Sequence, residues 1–166
     1  MGLLQAAFLV QLLPAWSSNL GIRPIRSPKL IMNDTGLAAS LIGLAARRLQ
    51  AMGNSLIGNV IENFAIMEII KDIGVSSVQP KPCYYRSTTG SEVDLVLEAP
   101  DGRLVAIEVK ASSSVTSKDF KGLRALGAVA PERFWRGVVL YTGDQVIPFA
   151  ERLHAAPIHM LWNLPG

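Results

Sequence analysis

The sequence predicts an α/β domain with a mixed β-sheet, and three observations lead to this fold class. An almost continuously apolar segment at 56–72, ended by Gly74, is typical of a buried helix. Two segments with alternating apolar and polar residues follow at 92–98 and 103–110, as in half-buried antiparallel strands. A helical segment then precedes the apolar run 138–141, so the strands that it joins form a parallel pair.

Length and composition are those of a folded protein with one hydrophobic core. The chain has 166 residues, of which 49% are hydrophobic and 17% charged, and this excludes a disordered tail. The formal net charge of +3 is compatible with an anionic partner, although dense basic runs are lacking. The single cysteine, Cys83, excludes an intrachain disulfide, and no zinc-type Cys/His spacing occurs, which fits a reducing cytoplasm.

The most apolar run of the chain lies at residues 1–16. It lacks the basic start of a signal peptide, and it stops at Pro14, too early to span a bilayer. We therefore expect it to be buried, either on this chain or on a neighbouring domain. A proline-rich connector at 14–29 follows. We divide the chain into an N-terminal segment at 1–54, with the apolar run, the connector and a helix, and an α/β domain at 55–166.

Capping residues predict two further helices. Asp34 or Thr35 caps a helix that ends near residue 44, and Ser117 caps a helix over 117–126. In the second helix Phe120, Leu123 and Leu126 face inward. Lys118, Lys121 and Arg124 face outward and are candidate nucleic-acid contacts.

Three additional short segments are predicted to be strands, at 83–86, 145–149 and 158–162. In the first of them, Tyr84 and Tyr85 are expected to be core residues. The alternative is that these tyrosines and Arg86 stack on a base or contact a phosphate, which makes Arg86 a further candidate nucleic-acid contact.

The loop of the predicted hairpin determines which side chains meet across it. If residues 100–102 form a three-residue loop closed by Gly102 in the left-handed conformation, the register of the hairpin is set. Asp94 then lies opposite Glu108, and Lys110 follows on the same face. The other face carries apolar side chains and is predicted to face the core: Val93, Leu95, Leu97, Val105, Ile107 and Val109.

Two carboxylates that face each other repel unless a cation lies between them. Mg²⁺, which binds through one or two carboxylates plus waters and substrate phosphates, would supply that cation, and Mn²⁺ is an equivalent choice. Asp94 and Glu108 are therefore predicted to be metal ligands. The alternative is a solvated hairpin face on which Lys110 pairs with Glu108 or with Glu92.

Glu62 lies among apolar residues of the helix at 56–72, where a carboxylate requires a partner. A glutamate at the helix edge that reaches solvent is the simpler interpretation of this helix alone. If this edge packs on the sheet instead, the carboxylate is expected within about 8 Å of Asp94 or Glu108, near enough to share a metal ion through one water.

Asp94 and the sequence EVK at 108–110, on a hairpin that follows a glutamate-bearing helix, resemble the PD-(D/E)xK nuclease superfamily. The resemblance implies a restriction-endonuclease-like αβββαβ core and Mg²⁺-dependent phosphodiester hydrolysis on DNA. It makes Asp94 and Glu108 the metal ligands. Lys110 would orient or activate the attacking water, and Glu62 would complete the catalytic site. The proline that precedes the aspartate in the superfamily is absent here.

A closer resemblance covers nearly the whole chain. The sequence is similar to the C-terminal domain of unknown function that follows a AAA+-type ATPase module in many bacterial and archaeal proteins, through the runs SPKLIMNDTGLAASLIG, GNVIENFAIMEIIK, YYRSTTGSEVDLVLE, IEVKAS, FKGLRAL and VVLYTGD. No G-x-x-x-x-G-K-[ST] phosphate-binding loop occurs in this chain. We expect DNA, an ATPase module or a second copy of the chain as partners, and no membrane. The alternative to a nuclease is a non-catalytic module that docks an ATPase domain or holds DNA.

Overall fold

The computed structural model describes residues 2–18, 27–43 and 54–162. Residues 2–18 and 27–43 carry two short helices and two strands: α1 (Gly2–Ala6), β1 (Val10–Leu13), β2 (Lys29–Met32) and α2 (Thr35–Leu41). Residues 54–162 carry the remaining elements: α3 (Asn54–Val75), β3 (Lys81–Arg86), β4 (Glu92–Glu98), β5 (Leu104–Lys110), α4 (Lys121–Val129), β6 (Phe134–Tyr141), β7 (Ile147–Ala150) and β8 (Leu153–Pro157). Short 3₁₀ helices at Ser117–Phe120 and Ile158–Trp162 precede α4 and follow β8.

The central sheet has six strands in the order β3-β4-β5-β6-β8-β7. Strands β3, β4 and β5 are antiparallel neighbours, whereas β5, β6 and β8 run parallel to one another. The predicted α/β class with a mixed sheet is confirmed, and so is the parallel pair joined by α4. From α3 to β6 the elements follow the order αβββαβ.

Helices cover both faces of this sheet. Helix α4 and the 3₁₀ turn before it bury Phe120, Leu123 and Leu126 on one face, as the helical pattern predicts. Helix α3 buries Ala65 and Ile66 on the other face. The two faces are called the α4 face and the α3 face below. The prediction of half-buried hairpin strands is wrong, because side chains of β4 and β5 enter both cores.

The turn of the β4–β5 hairpin has the predicted geometry. The Ala99 N–H donates to the Arg103 carbonyl at 2.9 Å, and the Gly102 N–H donates to the Ala99 carbonyl at 2.9 Å. Gly102 has φ +86°, a conformation that favours glycine because a side chain would clash. The resulting register pairs Glu98 with Leu104, and the ladder continues as far as Leu95 with Ile107. The predicted pairing of Asp94 opposite Glu108 is not formed, because the ladder ends one residue before it at the bulge in β4.

A β-bulge interrupts β4 beside its predicted site residue. Cys83 pairs with Val96 but Tyr85 pairs with Val93, so two steps along β3 face three steps along β4. Val93 consequently joins Val96 in the core of the α4 face, while Leu95 packs on the α3 face. The prediction that Val93 and Leu95 share one face is therefore wrong, because strict alternation does not account for the extra residue.

The N-terminal apolar run is mostly exposed. Leu3 in α1 is 87% exposed and Phe8 is 81% exposed, whereas among the described residues 2–16 only Val10, Leu13 and Trp16 are buried. The expectation that residues 1–16 form buried structure is wrong for α1, since this five-residue helix has no buried residue. Strand β1 itself pairs with β2 in a separate two-stranded sheet.

Several other boundaries differ from the predictions for local reasons. Thr116, rather than Ser117, caps the 3₁₀ turn through a capping box with Asp119. The predicted strand at 158–162 is a 3₁₀ helix, and its i, i+3 apolar residues Ile158 and Leu161 both pack on the α3 face. None of the helices in the described ranges has the length and apolar character that a membrane crossing requires.

Candidate functional site

The predicted site residues come from three elements that meet where the β4–β5 ladder ends. Glu108 and Lys110 lie at the C-terminal end of β5, Asp94 lies in the bulged part of β4, and Glu62 lies on α3. Helix α3 packs against both β4 and β5, which carries Glu62 to this point of the sheet. The charges of Asp94, Lys110 and Glu62 all act on Glu108, so the four side chains lie near one another.

Asp94 is held by contacts to both of its carboxylate oxygens. Its Oδ2 accepts a hydrogen bond at 2.9 Å from the Val109 backbone N–H, which lies beyond the last paired residues of the hairpin. Its Oδ1 accepts a hydrogen bond at 3.1 Å from the Lys29 Nζ. Asp94 is buried, so these contacts replace the hydration that the carboxylate loses.

Lys29 of β2 joins Asp94 to Glu62. Its Nζ forms ion pairs with Glu62 Oε1 and with Asp94 Oδ1. Two oxygens that each lie within about 4 Å of one nitrogen are less than about 8 Å apart. The expected proximity of Glu62 to Asp94 is thus found, and the interpretation of Glu62 as a solvent-facing helix edge is wrong.

Burial and charge shift the pKa of the site residues. Burial, with the charge of Asp94, raises the pKa of Glu62. Burial lowers the pKa of Lys29, but the charges of Asp94 and Glu62 outweigh this effect and raise it overall. Burial also lowers the pKa of Lys110, but the hydrogen bond and charge of Glu108 outweigh burial and raise it overall. Both lysines therefore remain ammonium ions at neutral pH.

Glu108 combines one paired and one unpaired oxygen. Its Oε1 accepts a hydrogen bond at 2.8 Å from Lys110 Nζ. Its Oε2 is buried and has no hydrogen-bond partner among the described residues. Burial and the charge of Asp94 raise the pKa of Glu108 to about 7. A buried carboxylate oxygen without a donor is a position where a cation would be stabilised.

The pair Asp94 and Glu108 fits a hard divalent ion that takes two protein ligands and completes its shell with water. The unpaired Glu108 Oε2 is the observation that supports this fit. In the described ranges no three His, Cys, Asp or Glu side chains are grouped so as to hold a metal ion together. Glu62 is therefore separate from this pair, and its carboxylate contacts the Lys29 ammonium instead.

Comparison with known proteins identifies the family of the chain. Residues 57–161 match the model described as "Domain of unknown function (DUF4143)", which covers more than half of the sequence. The chain belongs to this family. Residues 1–48 match a second model, "Domain of unknown function (DUF8612)".

Two relatives come from mycobacteria. They are the uncharacterized protein Mb2031c of Mycobacterium bovis and the uncharacterized protein Rv2008c of Mycobacterium tuberculosis, each 31% identical over 156 residues. The alignment covers 91% of this chain but only 32% of each relative, so the chain spans about a third of their length. No solved structure matches the chain.

Within the DUF4143 domain, the candidate nucleic-acid contacts are surface residues. Arg86 is exposed and forms an ion pair with Glu92, which therefore does not pair with Lys110 as the sequence suggested. Lys118 and Lys121 are exposed beside the capping residue Asp119, whose charge acts on Lys110. Arg124, the remaining candidate, is also exposed. Its Nη1 donates a hydrogen bond to the Ser117 carbonyl at 2.7 Å.

Sequence reasoning missed Lys29 as a site residue, because it lies in the connector and far from the hairpin. The available signal was its place as the charged residue at the start of the short apolar run 30–32, which ends two residues before the helix cap Asp34. Asn63 was also missed, although it follows Glu62 in the sequence. Its side chain binds the backbone of β2, as described below.

Proposed function

We propose that this DUF4143 domain is a metal-dependent phosphodiesterase that acts on DNA through a PD-(D/E)xK-type site. Support comes first from the unpaired, buried Oε2 of Glu108 beside Asp94 in a site that also holds two ammonium groups. The αβββαβ element order supports a restriction-endonuclease-like core for the same region. The net charge of +3 and the exposed side chains of Arg86, Lys118, Lys121 and Arg124 favour an anionic substrate.

In this proposal Asp94 and Glu108 are the protein ligands of Mg²⁺ or Mn²⁺. The ion would supply Lewis-acid stabilisation of the phosphate charge and a water of lowered pKa. The Asp94 carboxylate is preorganised for metal binding, because hydrogen bonds from the Val109 N–H and from Lys29 fix its orientation. Such fixed carboxylates lose little conformational entropy on binding.

Lys110 has a positioning role in the proposed reaction. Its ammonium lies 2.8 Å from Glu108 Oε1, and its side chain is 35% exposed, so it can also donate to a water or a phosphate oxygen. Because Glu108 raises the pKa of Lys110, the ammonium stays protonated at neutral pH. It therefore orients the attacking water and stabilises the charge on the phosphate, and it does not remove a proton itself.

The test is cleavage of supercoiled, linear duplex and single-stranded DNA by the purified chain with Mg²⁺, Mn²⁺ or EDTA. Cleavage is expected with metal only, and it should fall at least about 100-fold in Asp94→Asn and in Lys110→Met. Two matched controls should keep wild-type rates. Asp101→Asn removes an exposed hairpin carboxylate, and Lys71→Met removes an exposed lysine that pairs with Glu68. Cleavage that survives in Asp94→Asn would contradict the proposal.

A second candidate function is a non-catalytic module that holds DNA or docks a AAA+-type ATPase module. One observation favours it: Lys29 already neutralises part of the acidic site. This alternative would be supported if wild type and Asp94→Asn bound DNA with equal affinity and neither cleaved it in the presence of metal.

A further inference from the structure

The acidic site is divided between two ammonium groups. Lys110 contacts Glu108, and Lys29 contacts both Glu62 and Asp94. Three carboxylates at such a site could hold two divalent ions about 3.5–4 Å apart, as in many phosphoryl-transfer enzymes. Here the position between Glu62 and Asp94 is already taken by the Nζ of Lys29.

Lys29 is held in this position by its own strand. In β2 it pairs with Leu13 of β1. Three residues later, Met32 is bound through both backbone groups to the Asn63 side chain on α3, at 2.8 Å for its N–H and 2.9 Å for its carbonyl. Asn63 directly follows Glu62, so one turn of α3 fixes both the strand and the carboxylate that Lys29 contacts.

A second anchor lies on the other side of Lys29. The hydroxyl of Tyr84, a buried residue of β3, donates to the Ser27 carbonyl at 2.8 Å. The segment is therefore fixed to β3 before Lys29 and to α3 after it. A lysine with such support differs from a mobile surface lysine, because the backbone that carries its side chain is already ordered.

We propose that the Lys29 ammonium takes the place of a second divalent ion, so that the site binds one metal ion, at Asp94 and Glu108. This inference rests on the metal site of the proposed function. When they are ionised, the three carboxylates and the two ammonium groups of the site together carry one net negative charge. The carboxylates are those of Glu62, Asp94 and Glu108, and the ammonium groups are those of Lys29 and Lys110. One divalent ion converts this to one net positive charge, which suits a phosphodiester, whereas a second ion would have to displace the ammonium.

Lys29 also gains a role toward the substrate. An ammonium has three N–H donors, and the two carboxylates use two of them. The side chain is 27% exposed, so the third donor can reach a non-bridging oxygen of a phosphodiester. Lys29 is thus a positioning residue that holds Asp94 and Glu62 and contributes a fixed positive charge to phosphate binding.

The test measures Mn²⁺ binding to Lys29→Met by titration calorimetry and by electron paramagnetic resonance of free Mn²⁺. Wild type is expected to bind one ion, and Lys29→Met to bind a second ion or to bind the first at least about tenfold more tightly, because a neighbouring positive charge is removed. Lys71→Met, which also removes an ion-paired lysine, should bind as wild type does.

A second readout requires no metal ion. In EDTA, Lys29→Met should unfold about 3 °C or more below wild type, because two partly buried carboxylates lose their counter-ion. The double variant Lys29→Met/Glu62→Gln should recover part of this loss, since it removes one of the two repelling charges.

The outcomes separate this inference from the proposed function. Two Mn²⁺ ions on wild type, or unchanged stoichiometry and affinity in Lys29→Met, would overturn the role of Lys29 while leaving the metal site intact. Failure of Glu62→Gln to recover stability in the double variant would overturn it as well. Equal Mn²⁺ binding by wild type and Asp94→Asn would overturn the metal site and this inference together.

Discussion

The Asp94 carboxylate accepts a hydrogen bond from the Val109 backbone N–H across the β4–β5 hairpin at 2.9 Å. Regular pairing of β4 with β5 ends at Leu95 and Ile107. Beyond that pair the Asp94 carboxylate, and not a backbone carbonyl of β4, accepts the hydrogen bond from β5. The adjacent bulge in β4 turns Asp94 toward Lys29 and Glu62 on the α3 face. A local irregularity of the strand thereby brings Asp94 to Lys29 and Glu62.

The double variant Asp94→Asn/Glu108→Gln tests the metal ligands. At a metal concentration of about a hundred times Kd, Mg²⁺ or Mn²⁺ is expected to raise the melting temperature of wild type by roughly 5–10 °C, because the ion binds only the folded state. The double variant should show no shift, since neutral amides do not replace two carboxylates. Differential scanning fluorimetry measures both, and Asp101→Asn/Glu132→Gln provides a control with two exposed carboxylates removed. Equal shifts in all three proteins would contradict the site.

The raised pKa of Glu108 predicts that the stability of the metal-free protein, measured in EDTA, falls with rising pH. Its folded pKa of about 7 lies above the ordinary value of 4.5, so the folded state binds this proton more tightly than the unfolded state. The free energy of unfolding should therefore fall as pH rises from about 4.5 to about 7, with a slope of at most about 1.4 kcal/mol per pH unit from this group. Urea unfolding at several pH values measures the slope.

Glu108→Gln should flatten this dependence, whereas Glu132→Gln, at an exposed position, should keep it. Saturating Mg²⁺ should also remove it in wild type, because a bound cation favours the ionised carboxylate. A stability that rises steadily across the same pH range in EDTA, in wild type and Glu108→Gln alike, would show that Glu108 is not the buried, repelled carboxylate described above.

The hairpin was predictable because its determinants are local. The turn residues at 100–102 fix the loop, and the loop fixes the register of Glu98 with Leu104. The contribution of Lys29 was not predictable, since it depends on how the separate β1–β2 sheet packs beside α3. The bulge at Asp94 was also hidden, because alternation in one strand contains no information about its pairing with β3.

Glu62→Gln separates a positioning role from direct metal ligation. Gln has nearly the same volume and still accepts a hydrogen bond from Lys29, so the free energy of unfolding should change by less than about 1 kcal/mol. Mn²⁺ affinity should fall less than about tenfold, with one ion still bound, because Glu62 acts through Lys29. Titration calorimetry measures this, and a loss as complete as that of Asp94→Asn would make Glu62 a direct ligand.

Gly122 of α4 lies so close to β4 that a side chain has no room. A Cβ at this position would lie 1.7 Å from the Glu92 carbonyl oxygen and 3.3 Å from Val93 Cγ2. Gly122→Ala must therefore push α4 away from the start of β4, and we expect it to destabilise the fold by about 2–4 kcal/mol in urea unfolding. Because Glu92 and Val93 directly precede Asp94, Mn²⁺ affinity should fall as well.

Gly58 of α3 provides the matched comparison. A Cβ there meets no atom within 4 Å, and alanine has the higher helix propensity, so Gly58→Ala should stabilise the protein by about 0.5–1 kcal/mol. Its Mn²⁺ affinity should equal that of wild type. If Gly122→Ala were as stable as Gly58→Ala, α4 would not pack as closely on β4 as described. If Gly122→Ala lost stability but bound Mn²⁺ normally, the position of Asp94 would depend on Val109 and Lys29 alone, and not on the contact between α4 and β4.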